Sequence, residues 1–161
     1  FVAASAANLA GFKKFLNSCT IGPDKVNQIR HTRFLPTKDA LMAHMGKHAE
    51  LLNPRFDAVL TALGKAFDGT DLGAWEKPVG GYFVSFDTRK GCAKETVRLA
   101  AEAGVKLTPA GATYPYGKDP EDRNIRIAPS VPTVPEVVGA MEVFVTCVKL
   151  ASVKQQLASL A

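Results

Sequence analysis

The sequence has 161 residues, 47% apolar and 22% charged, the balance of a soluble globular chain long enough for one domain with an appendage. Its net charge of +5 is spread evenly: 10 basic and 7 acidic residues in positions 1–80, 10 and 8 in 81–161, and no Lys/Arg run longer than two. That argues against a nucleic-acid surface, which shows a patch or stripe, and no apolar run is long enough to span a bilayer, so neither nucleic acid nor membrane is an expected partner.

The opening Phe1-Val2-Ala3-Ala4 lacks a basic leader and does not read as a signal peptide. A start at Phe reads as a cut from something longer. Ser5 is placed to cap a helix over 5–18, with Leu9, Phe12 and Leu16 as its apolar stripe. Ile21-Gly22-Pro23-Asp24 breaks it, and Asp24 is the expected cap of a second helix to about Phe34. Two small helices with no strand to pack on read as the end of an upstream domain, so the expected division is 1–35 and 36–161. Thr37 opens a long helix whose apolar face runs from Leu41 through Leu52 and Val59 to Phe67. Pro54 lacks an amide donor and crowds the preceding turn, so a kink, or a restart capped by Asn53, is expected there.

Residues 72–78 read as irregular around Trp75, the only tryptophan. Tyr82–Asp87 has the aromatic and β-branched content of a strand. Residues 92–103 read as a helix closed by Gly104, and Val105–Thr108 as a second strand. Residues 109–123, rich in Gly, Pro and Asp, form a long loop carrying Tyr114 and Tyr116. Asn124–Ile127 is a third strand. Thr133-Val134-Pro135-Glu136 is a capping box that starts a last helix with Val137, Met141, Phe144, Val148 and Ala151 inward. Helix, strand, helix, strand, strand, helix predicts an α+β domain: a small, mostly antiparallel sheet covered by helices on one face.

The chemistry concentrates at Arg126. In Asn124-Ile125-Arg126-Ile127-Ala128 the two isoleucines alternate with the arginine, so a strand puts the isoleucines on one face and the guanidinium on the other. A guanidinium suits a carboxylate, because its planar fork donates two parallel hydrogen bonds. A solvated arginine on the open face of a half-buried sheet is the plain alternative. His44 and His48 share a helix face, but Met45 stands where an HExxH acid would be, and no third ligand is evident, so no metal is expected. Gly80-Gly81 precedes a strand and does not fit a dinucleotide fingerprint. Cys92 lies at a helix start with no histidine near it in sequence. Cys19, Cys92 and Cys147 are scattered and form no CxxC pair, which fits structural thiols in a reducing compartment and an expected cytoplasmic location.

Three segments taken together carry a resemblance: Trp75-Glu76-Lys77-Pro78-Val79-Gly80-Gly81-Tyr82-Phe83, Gly104-Val105-Lys106-Leu107-Thr108-Pro109-Ala110-Gly111, and Asn124-Ile125-Arg126-Ile127-Ala128-Pro129-Ser130. Their order and spacing resemble the C-terminal part of fold-type I pyridoxal-phosphate aminotransferases, in particular the aspartate aminotransferase subgroup labelled MocR-like. Ile21–Gln28 and Ala110–Gly117 resemble the same subgroup. The resemblance implies that residues 1–35 end a large cofactor domain, that the long helix joins it to a small C-terminal domain, and that Arg126 holds the substrate α-carboxylate. It implies amino-acid and 2-oxo-acid substrates, aspartate as the donor, pyridoxal phosphate in the full-length enzyme and a homodimer. The Schiff-base lysine is expected upstream of Phe1, so the chain alone is expected to bind no cofactor and to be inactive. A non-catalytic module that captures acidic metabolites is the alternative of a different class.

Overall fold

The computed structural model describes residues 2–160. In chain order the elements are α1 (Ala6–Cys19), α2 (Lys25–Phe34), α3 (Lys38–Phe67), β1 (Gly73–Trp75), β2 (Val84–Thr88), α4 (Ala93–Glu102), a 3-10 turn (Pro115–Gly117), β3 (Asn124–Ile127) and α5 (Val134–Leu160). The chain divides into two compact units, one ending at Gly46 and one starting at Lys47, so the division falls inside α3.

In the first unit, the helix starts follow the predicted caps. Ser5 Oγ accepts from the Asn8 amide, Asp24 Oδ1 from the Asn27 amide at 3.0 Å, and Thr37 Oγ1 from the Ala40 amide at 3.1 Å. Each satisfies one of the donors a helix start leaves unpaired. Neither α1 nor α2 buries a residue.

The second unit carries the core. The sheet has the order β1-β2-β3, antiparallel throughout. Phe86 faces Ile125 and Val84 faces Ile127, while Ser85 faces Arg126 and Asp87 faces Asn124. With side chains alternating across a pleated strand, this register sorts the two faces. Val84, Phe86, Ile125 and Ile127 form the apolar face and are buried with Val59, Leu63 and Phe67 of α3 and Met141, Phe144 and Val148 of α5. Phe86 sits at the centre, 5.5 Å from the Phe67 ring and 5.2 Å from that of Phe144. The other face carries Ser85, Asp87, Asn124 and Arg126. The expected α+β architecture is therefore the observed one. One half of the capping box is seen: Glu136 Oε2 accepts from the Thr133 amide at 2.7 Å, and the Thr133 hydroxyl donates to the same oxygen at 2.8 Å. The two hydrogen bonds hold the Glu136 carboxyl below the usual range.

Three local expectations are corrected. First, α3 continues through Pro54, so the helix does not restart at Asn53. The Arg55 side chain donates to the Leu51 carbonyl in the turn the proline disturbs, and to the Pro132 carbonyl at 2.6 Å, tying this turn to the start of α5. Second, Gly73–Trp75 is a strand. Its sequence has little strand propensity, and tertiary contact decides: the Phe86 ring lies so close over Gly73 that a Cβ there would sit 2.3 Å from Cζ. Trp75 stacks on the same ring. Third, Val105–Thr108 is not a strand. Its composition is right, but the Val105 amide donates to the Ala100 carbonyl at 2.8 Å, and no ladder joins the segment to an edge among the described residues. A cleft lies beside it instead.

Candidate functional site

Arg126 stands on the open face of the sheet, on the strand whose other side is pinned by Ile125 and Ile127, both buried. It is half-buried rather than fully solvated. Its guanidinium lies over the Phe83 ring, with Cζ 4.4 Å from the centroid. That contact fixes the plane of the fork at a gain of about 0.5–1 kcal/mol. Among the described residues it forms no ion pair, and its Nε is buried without a hydrogen-bond partner. An arginine that served only the fold would have its donors satisfied.

Arg126 is among the residues that line a cleft of about 140 Å³, together with Val105–Thr108 and Ile127–Pro129. Met141 and Phe144 of α5 also line it. The walls are mainly apolar, and the cations on it are Arg126 and the exposed Lys106. One forked donor against apolar walls suits a carboxylate attached to carbon.

The loop 109–123 is ordered beside this face. Asp119 organises its end: Oδ1 accepts from the Glu121 amide at 3.0 Å, and Oδ2 from the Arg123 and Asn124 amides, both at 2.8 Å. Burial raises the Asp119 pKa, but these backbone donors outweigh it and leave the carboxyl below its ordinary value. At the other end, Gly111 has φ +82°, and a Cβ there would lie 2.5 Å from the Gly117 carbonyl oxygen. Tyr116 is exposed and has φ +58°. Next to Arg126, Asn124 is buried and uses its whole amide. Nδ2 donates to Ser85 Oγ at 3.0 Å and Asp87 Oδ1 at 2.7 Å, and Oδ1 accepts from the Thr113 hydroxyl at 2.7 Å.

Sequence reasoning singled out Arg126 and the loop but missed Phe83, Asn124 and Asp119. The signal for Asn124 was its spacing of two from Arg126, which places the pair on one strand face, and for Phe83 its place just before the strand, two residues from Ser85. For Asp119 it was an acid shortly before free amides at a strand start. His44 packs edge-on to Phe34, with ring centroids 5.1 Å apart. No group of three or more His, Cys, Asp or Glu side chains among the described residues is arranged to hold a metal. Cys92 caps α4 through backbone position alone, and burial pushes its thiol up, offset in part by a hydrogen bond with Ser152. No helix among the described residues is long and apolar enough to cross a membrane.

A three-stranded antiparallel sheet with helices on one face and this connectivity is the small-domain type of the aminotransferases. The chain belongs to the aspartate aminotransferase family: the profile described as Aspartate amino-transferase matches residues 1–159. A Mycolicibacterium smegmatis protein named as an aminotransferase is 46% identical over 152 residues, covering 94% of this chain and 36% of that protein. The aspartate aminotransferase of Corynebacterium glutamicum is 41% identical over 152 residues, covering 94% and 35%. The crystal structure of a Corynebacterium diphtheriae protein named as an aminotransferase superposes with a TM-score of 0.84 at 42% identity, over 94% of this chain and 38% of that one. The chain thus spans little more than a third of the length of these relatives.

Proposed function

We propose that the chain forms the small-domain part of a pyridoxal-phosphate-dependent aminotransferase, with residues 1–35 belonging to the cofactor domain, and that Arg126 holds the substrate α-carboxylate. The observation that carries this reading is the state of Arg126. It is half-buried, oriented by Phe83, free of an internal acid among the described residues, and set beside a cleft. Family membership supplies the reaction class: an amino group passes between an amino acid and a 2-oxo acid. Aspartate as the donor, a MocR-like subgroup, a homodimer and a cytoplasmic location complete the reading, with the name of the Corynebacterium glutamicum relative supporting the first.

Pyridoxal phosphate supplies an electron sink when bound to such an enzyme. The residues around Arg126 do not make a seat for it. One forked donor and one exposed lysine fit a carboxylate, whereas a phosphate and a ring nitrogen need donors and an acid that this cleft lacks. No step through the cofactor is therefore assigned to these residues. What Arg126 would do is orient. A carboxylate held by two parallel hydrogen bonds has its carbon chain fixed in direction, and that fixes which bond at the α-carbon faces the reacting partner.

The test is Arg126→Ala in the full-length protein. Two hydrogen bonds to a charged group are worth roughly 1.5–3 kcal/mol each, so kcat/KM should fall by about 10²- to 10⁴-fold while cofactor absorbance is kept. Unchanged kinetics would remove Arg126 from the role. For the chain alone, borohydride trapping with pyridoxal phosphate should give no stoichiometric adduct on any single lysine. Such an adduct, or saturable dicarboxylate binding by the chain alone, would instead favour a self-sufficient module.

A further inference from the structure

Granting the reading of Arg126 above, on which the following rests, one question stays open: what keeps its guanidinium unpaired. The strands place one carboxylate on its face, Asp87, directly opposite Asn124 and so diagonal to Arg126. Diagonal neighbours on an antiparallel sheet lie within reach of long side chains, and an arginine is long enough to span that gap. Yet no Asp87–Arg126 ion pair forms among the described residues. Asp87 Oδ1 accepts a hydrogen bond from Asn124 Nδ2 at 2.7 Å, which draws the carboxylate toward Asn124, while the guanidinium lies over Phe83 on the other diagonal.

We propose that Asn124 is a positioning residue that holds the Asp87 carboxylate toward itself and thereby leaves Arg126 available to a carboxylate ligand. Its amide can do this in one orientation only. Both Nδ2 protons are used, one on Ser85 and one on Asp87, and Oδ1 is fixed by the Thr113 hydroxyl. A flipped amide would aim its oxygen at the Asp87 carboxylate and leave the Thr113 hydroxyl facing a donor. Burial keeps water from substituting, and the backbone amide of the same residue is anchored on Asp119. Asn124 thus gives Asp87 a neutral partner, and Thr113 joins the arrangement to the loop that flanks the site. The recognised ligand is any small molecule with a carboxylate on a short carbon chain.

The experiment measures equilibrium binding of succinate to the full-length protein in four forms: the parent, Arg126→Ala, Asn124→Ala, and Asn124→Ala combined with Asp87→Asn. Arg126→Ala should abolish binding. Asn124→Ala frees Asp87 to pair with Arg126, and a partly exposed ion pair competing at that strength weakens succinate about fivefold. Adding Asp87→Asn removes the competitor and should return binding to within about twofold of the parent. A merely structural role for Asn124 gives no such recovery, so loss without recovery overturns the proposal, as does an Asn124→Ala protein that binds like the parent. If Asn124→Ala does not fold, the exchange Asn124→Asp with Asp87→Asn keeps the cross-strand hydrogen bond. It should bind more tightly than Asn124→Asp alone, and equal affinities would overturn the proposal. Binding that survives Arg126→Ala refutes the reading of Arg126 itself, and that arm separates the two failures.

Discussion

Replacing Asp119 by alanine should destabilise the second unit by about 3–4 kcal/mol, a large share of the roughly 5–15 kcal/mol that holds an ordinary domain. The figure follows from the contacts. The carboxylate accepts three backbone donors between 2.8 and 3.0 Å. Hydrogen bonds to a charged group are worth about 1.5–3 kcal/mol each where water cannot replace them. The Glu121 and Arg123 residues retain exposure, so their amides recover most of the loss from water. The Asn124 amide lies in a buried residue and does not, so it contributes both the lost bond and the cost of an unpaired donor. Asp119→Asn should cost less, about 1–2 kcal/mol, because the remaining carbonyl oxygen can still serve the two amides on the Oδ2 side. Urea unfolding followed by the fluorescence of Trp75, which stacks on the central Phe86, reads the sheet directly. At a slope of about 1–3 kcal/mol per molar urea, the alanine variant should shift the midpoint by ~1–4 M. The effect has a pH signature. The folded-state pKa of Asp119 lies below its ordinary value, so the contribution is complete above the unfolded carboxylate pKa of about 4 and is lost as pH falls through the lower folded value. The gap between parent and Asp119→Ala should therefore narrow in acid. A gap that persists unchanged below that range, or an asparagine variant as damaged as the alanine one, would refute the argument.

Gly111→Ala should destabilise by more than the ordinary ~1 kcal/mol of a strained glycine site, since it combines φ +82° with a Cβ 2.5 Å from a backbone oxygen. The same urea experiment checks it, and a neutral result would mean the turn is not held as described. A thiol reagent should modify one cysteine per folded chain quickly, the exposed Cys19, and all three after unfolding. Cys92 and Cys147 are buried, and burial pushes both thiols up, away from the reactive thiolate. Fast modification of either in the folded chain would contradict that placement.

What the sequence disclosed was governed by local rules. The caps at Ser5 and Asp24 are short-range patterns and both form, as does the bond from the Thr133 amide to Glu136. The alternation around Arg126 is also local, since a strand of four residues is enough to sort isoleucine from arginine. What escaped depended on contacts far apart in the chain. β1 exists because the Phe86 ring needs a residue without a side chain at Gly73, a demand visible only when the two are adjacent. Val105–Thr108 has strand composition but no neighbouring edge, and composition alone does not supply one. Pro54 has the expected local defect, yet a single long side chain, Arg55, bridges it to a segment 77 positions away. At the site, the donor was readable and its surroundings were not: Phe83 and Asp87 reach Arg126 and Asn124 only through the β2–β3 register.

The bare flanks of α1 and α2 bear on how the chain, taken by itself, responds to heat. Helices of 14 and 10 residues sit at or below the length that holds together unaided in water, and neither tucks away a single side chain. From Lys47 onward, by contrast, the chain carries its own apolar centre. In the chain by itself, warming should therefore melt the N-terminal helices while the sheet still stands, whereas a surrounding cofactor domain would hold them to a higher temperature.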